Sequence, residues 1–363
     1  MMNKRKITTV LLTLMLFPIS GVKAGNEDRS GEAGATELLI NPWARSSGLG
    51  GANTASVTGL EAMYLNVAGM AYTRKTELMF THTRYLVGSG IGINAFGLSQ
   101  RVGEGSVLGF SVVSMNFGDI DITTVNNPEG GLGKFSPSYM NLGLSYAKEF
   151  SNSISGGLTL KMVNEAISNI RTQGMALDAA VRYVTGENDQ IKFGIALKNV
   201  GPPMRYAGDG LSFRNTNPNT GVNSTEEHRS AQFELPSLLN IGASYDFFLV
   251  PKTDSTGDKI TSDHKLTACG TFTSNSFTRD QYRLGLEYSF KSMLTFRAGY
   301  VIDRASKKEV YKGITPEAHT GPSAGFSFDL PFNKNGSTIS FDYSYRFTNP
   351  FQGTHSIGAR INL

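Results

Sequence analysis

Residues 337–347 read STISFDYSYRF. Ile339, Phe341, Tyr343, Tyr345 and Phe347 alternate with Ser340, Asp342, Ser344 and Arg346, so an extended chain shows one apolar and one polar face. A helix would scatter both sets around its circumference, because its repeat is 3.6 residues rather than two. In 281–290, Tyr282, Leu284, Leu286, Tyr288 and Phe290 alternate in the same way with Arg283, Gly285, Glu287 and Ser289. At the end of the chain, Ile357, Ala359, Ile361 and Leu363 oppose Ser356, Gly358, Arg360 and Asn362.

Comparable segments lie near 138–149, 153–165, 173–185, 190–200, 237–249, 264–274, 293–302 and 321–330. Three weaker ones, 77–86, 90–101 and 105–116, are blurred by glycines and by polar residues on both faces. The sum is fourteen strands, most of them long enough to cross a hydrocarbon layer at the tilt of a barrel. Asp178, Arg182, Lys192, Lys198, Arg283, Glu287, Arg297, Asp342, Arg346 and Arg360 all oppose apolar neighbours, which suits a hydrated lumen behind a lipid-facing wall. A soluble propeller or sandwich would bury both faces of many strands. A closed barrel satisfies every backbone group in lipid and leaves no open edge. The expected fold is all-β: a 14-stranded antiparallel transmembrane β-barrel over 77–363, in a bacterial outer membrane.

The connections test this independently. If the first strand runs outward, the long gaps 117–137, 201–236 and 303–320 all fall on the extracellular side. The short turns 102–104, 150–152, 186–189, 291–292 and 331–336 fall on the periplasmic side, as bacterial barrels require. The longish turn 250–263 is the exception.

Lys4, Arg5 and Lys6, the apolar run Ile7 to Phe17, and the small residues up to Ala24 read as a signal peptide over 1–24. Cys269 is the single cysteine, so no internal disulfide forms. The 41 glycines, 14 tyrosines and 22 phenylalanines beside a slightly negative mean hydropathy fit strands of which one face meets lipid. Basic residues are scattered without an aromatic-interleaved stripe, which argues against nucleic-acid binding.

Chemistry is sparse. None of the five histidines (His82, His228, His264, His319 and His355) lies four residues from another, so no zinc site is expected. Gly130-Gly131-Leu132-Gly133-Lys134 lacks the spacing of a phosphate loop. Asp119, Asp121, Asn126 and Asn127 match no ordered calcium loop. No catalytic residues and no cofactor are expected.

Residues 25–76 precede the first strand and lack alternation. They contain the single tryptophan, Trp43, and are expected to form a plug within the lumen or a segment at the periplasmic mouth. Fourteen strands enclose more space than their own side chains fill. Ala44-Arg45-Ser46, Gly48-Leu49-Gly50-Gly51-Ala52, Ala55-Ser56-Val57 and Asn66-Val67-Ala68-Gly69-Met70-Ala71 resemble the PorV/PorQ family of Bacteroidetes type IX secretion, itself similar to FadL-like 14-stranded barrels. That family usually has Asn-Pro-Ala-Gly-Leu where Val67 and Met70 stand here, which suggests a paralogue.

The resemblance implies a non-enzymatic partner in protein export. It would receive the C-terminal signal domain of secreted cargo from the translocon and pass it to a surface attachment complex. On that reading Trp43, Arg45, Gly48, Gly50, Gly51, Asn66 and Gly69 form the plug motif. Loop 201–236, with Pro202, Pro203, Arg205, Tyr206, Phe213 and Arg214, is the candidate partner surface, against the plainer reading of an ordinary variable loop. The alternative function is FadL-like transport of hydrophobic small molecules. That needs an apolar pocket and a lateral opening, with the glycine-rich 88–97 as one candidate place.

Overall fold

The computed structural model describes residues 25–216, 218–253, 260–303, 318–333, 336–348 and 351–363; the leader expected at 1–24 lies outside them. Fourteen strands form one closed barrel. They are β1 (Thr76–Tyr85), β2 (Ile91–Gly103), β3 (Ser106–Asn116), β4 (Ser138–Glu149), β5 (Ile154–Ile167), β6 (Ile170–Thr185) and β7 (Ile191–Val200). The circuit continues with β8 (Leu238–Phe248), β9 (His264–Asn275), β10 (Gln281–Phe290), β11 (Leu294–Asp303), β12 (Gly321–Pro331), β13 (Thr338–Arg346) and β14 (Thr354–Asn362). Neighbours in sequence pair antiparallel, and β14 closes on β1 from Glu77↔Asn362 to Arg84↔His355.

The alternation sorts as the period of two requires. Ser340, Ser344 and Ser356 point inward and are buried, while Phe341 and Ile357 are 53% and 59% exposed on the outer wall. So much contiguous apolar surface would aggregate in water and is at home in lipid. One strand starts earlier than the alternation indicates, β6 at Ile170 rather than near 173. β5 and β6 continue as a ribbon to Ile167↔Ile170 around Ser168, whose φ is +50°. Arg171, Thr172 and Gln173 are polar on both faces of that ribbon, so no hydrophobic period marks it.

Loop 201–236 is more structured than its composition suggests. Ser212–Thr216 and Asn223–Glu227 form an exposed two-stranded ribbon. On either side of it, Met204, Phe233 and Leu235 fold back into the barrel against Ala35 and Leu38. The extracellular mouth is therefore partly capped by its own loop.

Candidate functional site

Residues 25–75 run down the lumen from the extracellular end to β1. At the top, the Asn26 amide donates to the Asn275 carbonyl, and the Arg29 guanidinium pairs with Glu32 and Glu234, each at 2.8 Å. Below, only short helical turns form, including Ala44–Gly48, Ala62–Leu65 and Val67–Tyr72. Such irregular backbone leaves N–H and C=O groups in need of partners, and the inward polar face supplies them. Ser323 Oγ donates to the Gly48 carbonyl (3.1 Å), Thr271 Oγ1 to that of Ala52 (2.8 Å) and Arg182 to that of Val57 (3.2 Å). Glu77 accepts from the Leu60 amide at 2.9 Å.

Steric fit is tighter still. An inward glycine faces this segment from each of β2, β3, β4, β5, β7, β8, β10, β11, β12 and β14. A Cβ on Gly97 would meet Leu60 at 2.7 Å, one on Gly157 would meet Val67 at 3.1 Å, and one on Gly299 would meet the Leu49 carbonyl carbon at 2.3 Å. Glycine weakens a strand through its entropy and missing side chain. Ten strands carry that cost at one belt, where the plug replaces the missing side chains. The belt closes the barrel to passage along its axis.

The motif residues all lie in this plug. Trp43 is 1% exposed. Arg45 faces the buried carboxylate of Glu61 at 4.0 Å, and Glu61 also accepts from the Ser46 amide at 2.6 Å. Gly48 abuts Gly325, while Gly50 and Gly51 have φ of +61° and +77°, a left-handed turn that favours glycine. Asn66 accepts from the Ala68 amide and donates to the Val181 carbonyl. A Cβ on Gly69 would stand 2.1 Å from the Val57 carbonyl oxygen. Glu61, which ties Arg45 to Ser46, is absent from the motif reading because nothing in its local sequence marks it.

The loop residues divide. Arg205, Phe213 and Arg214 are exposed, with Phe213 stacked on His228 at 4.2 Å. Tyr206 turns inward, and its hydroxyl donates to Glu165 on β5 at 2.5 Å. Tyr206 is therefore an anchor for the loop rather than part of an outer contact face.

Above the belt lies a cavity of about 450 Å³ that faces the extracellular side. Leu39, Ile40, Ile91, Met115 and Phe117 give it an apolar side; Lys198, Arg283 and Arg346 give it cations. Below the belt, a smaller hollow of about 140 Å³ is lined by charged groups that mostly pair with one another, such as Arg297 with Glu287 at 2.7 Å and Lys192 with Asp246.

The wall beside the upper cavity is irregular between β6 and β7. Pairing slips between Leu177↔Val200 and Ala179↔Leu197, which leaves Asn199 as a bulge with φ +58°. A buried network holds it. Lys161 Nζ pairs with Asp178 at 2.6 Å and donates to Asn199 Oδ1 at 2.8 Å, while the Asn199 amide donates to Asp178 at 2.8 Å. Outside the bulge is a wall hollow of about 300 Å³ bordered by Leu197, Val200, Leu235 and Leu239. Leu238 borders both this hollow and the upper cavity. At 91–97, by contrast, β2 pairs without a break to β1 and β3, so the wall is closed there.

His319 borders the cavity in hydrogen-bond contact with Tyr85 at 2.7 Å. Burial, then Arg346 and Arg283, push its imidazole down to about 3. An unfolded histidine takes its proton near 6.5, so between these values the unfolded chain binds the extra proton. Stability is unaffected above that interval and falls as pH drops through it. His319→Gln should flatten this acid limb, read as urea midpoints at pH 7.5 and 4.5. Equal pH slopes for both proteins would refute the assignment.

No family model matches the chain, and no curated protein matches it in sequence. Solved structures do match. The CymD monoaromatic hydrocarbon channel superposes with a TM-score of 0.54 at 14% identity, over 89% of this chain and 97% of its own. The Pseudomonas putida toluene transporter TodX gives 0.50 at 11% identity, over 89% and 97%. The fold is FadL-like. A Pseudomonas aeruginosa FadL homologue aligns more loosely, with a TM-score of 0.45 at 12% identity over 94% of this chain and 97% of its own. At such identities the likeness establishes the architecture, that of an outer-membrane β-barrel. CymD and TodX are named as a channel and a transporter.

Proposed function

We propose that this FadL-like barrel transports hydrophobic small molecules across the outer membrane. The observation that carries the reading is the upper cavity, a pocket of ligand size with an apolar side, open toward the exterior and floored by a fixed plug. Because the glycine belt blocks the axis, the route out of the cavity runs sideways past Leu238 into the wall hollow between β7 and β8. The two neighbours named as hydrocarbon channel and toluene transporter fit this reading.

The test is accumulation of a radiolabelled hydrocarbon by cells that produce the protein. Producing cells should take it up several-fold faster than cells without it. Leu238→Trp should slow uptake toward the control while binding to the purified protein persists. No difference between producing and control cells would defeat the transport reading.

A second reading is favoured by the plug itself. Its buried residues are those that resemble the PorV/PorQ motif, and a lumen closed along its axis suits a binding component better than a pore. On it, the chain serves type IX secretion, with translocon proteins, attachment-complex proteins and secreted cargo as partners through Arg205, Phe213 and Arg214. Affinity purification from solubilised outer membranes should then recover those proteins; a solitary barrel would count against it.

A further inference from the structure

The hollow below the belt has more donors than its own acceptors engage. Arg45, Lys192, Lys265 and Arg297 line it against Glu61, Asp246 and Glu287. Asp246 is taken by Lys192 and by Thr267 Oγ1, the latter at 2.6 Å, and Glu287 accepts from Arg297 at 2.7 Å. Glu61 holds the Ser46 amide and hydroxyl at 2.6 and 2.7 Å, and stands 4.0 Å from Arg45. At that separation the two charges attract without a hydrogen bond.

What remains is a set of polar groups with nothing to hold. Arg45 makes no hydrogen bond among the described residues, and its Nε is buried without a partner. Asn53 is 7% exposed, and its Oδ1 is unpartnered as well. Lys265 comes only within 3.9 Å of Asp246, which is already shared. Ser56 and Thr58 add hydroxyls from the same stretch of the plug, and Val57 is the one apolar residue among those that border the space. Polar groups held out of water need partners, and here most of the vacant ones are donors. A volume of about 140 Å³ has room for one tetrahedral oxyanion and some water.

We infer that this hollow binds a phosphate-type oxyanion that bridges the plug, through Arg45, Asn53, Ser56 and Thr58, to Lys265 on β9. The planar fork of Arg45 suits two oxygens of such an ion at once. Asn53 can offer its amide N–H to a third oxygen, or its Oδ1 to the hydroxyl of monohydrogen phosphate. Lys265, with 37% of its side chain exposed, marks the side on which the ion enters. The site goes beyond the transport reading and stands whether or not the upper cavity carries a solute.

Calorimetric titration of the purified, detergent-solubilised full chain with sodium phosphate, against sodium chloride of equal ionic strength, tests it. One phosphate should bind per chain. The fluorescence of Trp43, two residues from Arg45, should change over the same concentrations. Lys265→Gln alters a part-exposed side chain and should leave the fold intact while weakening binding about tenfold to a hundredfold, the worth of a charge-assisted hydrogen bond. Arg45→Lys keeps the charge opposite Glu61 but removes the fork, and should weaken binding too. Lys134→Gln, on an exposed extracellular hairpin, should bind as the parent does. A parallel titration with glycerol 3-phosphate separates the two sources of such a group, since the tighter ligand shows whether the free ion or a monoester is preferred. Binding of neither, or binding that Lys265→Gln leaves unchanged, would overturn the inference and leave the transport reading untouched.

Discussion

Gly299→Ala is expected to prevent the barrel from holding its plug. The added methyl group would lie 2.3 Å from the carbonyl carbon of Leu49, 2.5 Å from its oxygen and 2.6 Å from Ser323 Oγ. Two of these three contacts are backbone, so rotamer changes cannot relieve them. Overpacking typically costs about 1–3 kcal/mol, and a clash against backbone belongs at or above the top of that range. Heat-dependent mobility of the unboiled protein in denaturing gels, with protease access to 25–75, reads the effect. Gly270→Ala is the control, because a Cβ there meets nothing closer than 3.7 Å. If both variants keep a folded, protease-resistant form, the plug is looser than the belt implies.

Asp178→Ala should cost the protein about 3–5 kcal/mol, the usual penalty for stranding a buried partner of an ion pair. Here the penalty falls on two lysines, Lys161 and Lys198, and on the amide of the Asn199 bulge. Trp43, the single tryptophan, is 1% exposed inside the plug, so its fluorescence follows urea unfolding in lipid vesicles at one known site. Asp178→Ala with Lys161→Met should recover part of the loss, and adding Lys198→Met should recover more, because each removes an unmatched charge. A loss below about 1 kcal/mol for Asp178→Ala would mean that water reaches the cluster and that the wall is not sealed there.

Much of the barrel is readable in the chain because the strand period and the lipid impose one demand on every strand. Tyr343 and Asp342 must face opposite ways, and so must Leu286 and Glu287, whatever the rest of the molecule does. The site is less legible. Gly97, Gly109 and Gly157 blur the alternation of their strands, and their purpose becomes clear only when Leu60, Met70 and Val67 are seen against them. The bulge left one local trace, since Leu197 and Val200 both face outward although three positions separate them. That trace places an irregularity but cannot say that a cavity lies behind it. Glu61 and Tyr64 read as ordinary members of a short turn, because the groups they meet are remote in the chain. Likewise, Tyr206 has the character of a surface anchor by residue type, and only its partner Glu165 shows that it points inward.

The fit between plug and wall also limits how this chain can diverge. The Val67 side chain fills the space left by the absent Cβ of Gly157. A change on either side is thus admissible only with a matching change on the other, about 90 positions away in the chain. A plug borrowed from a related barrel would bring its own shape without the glycines cut to receive it.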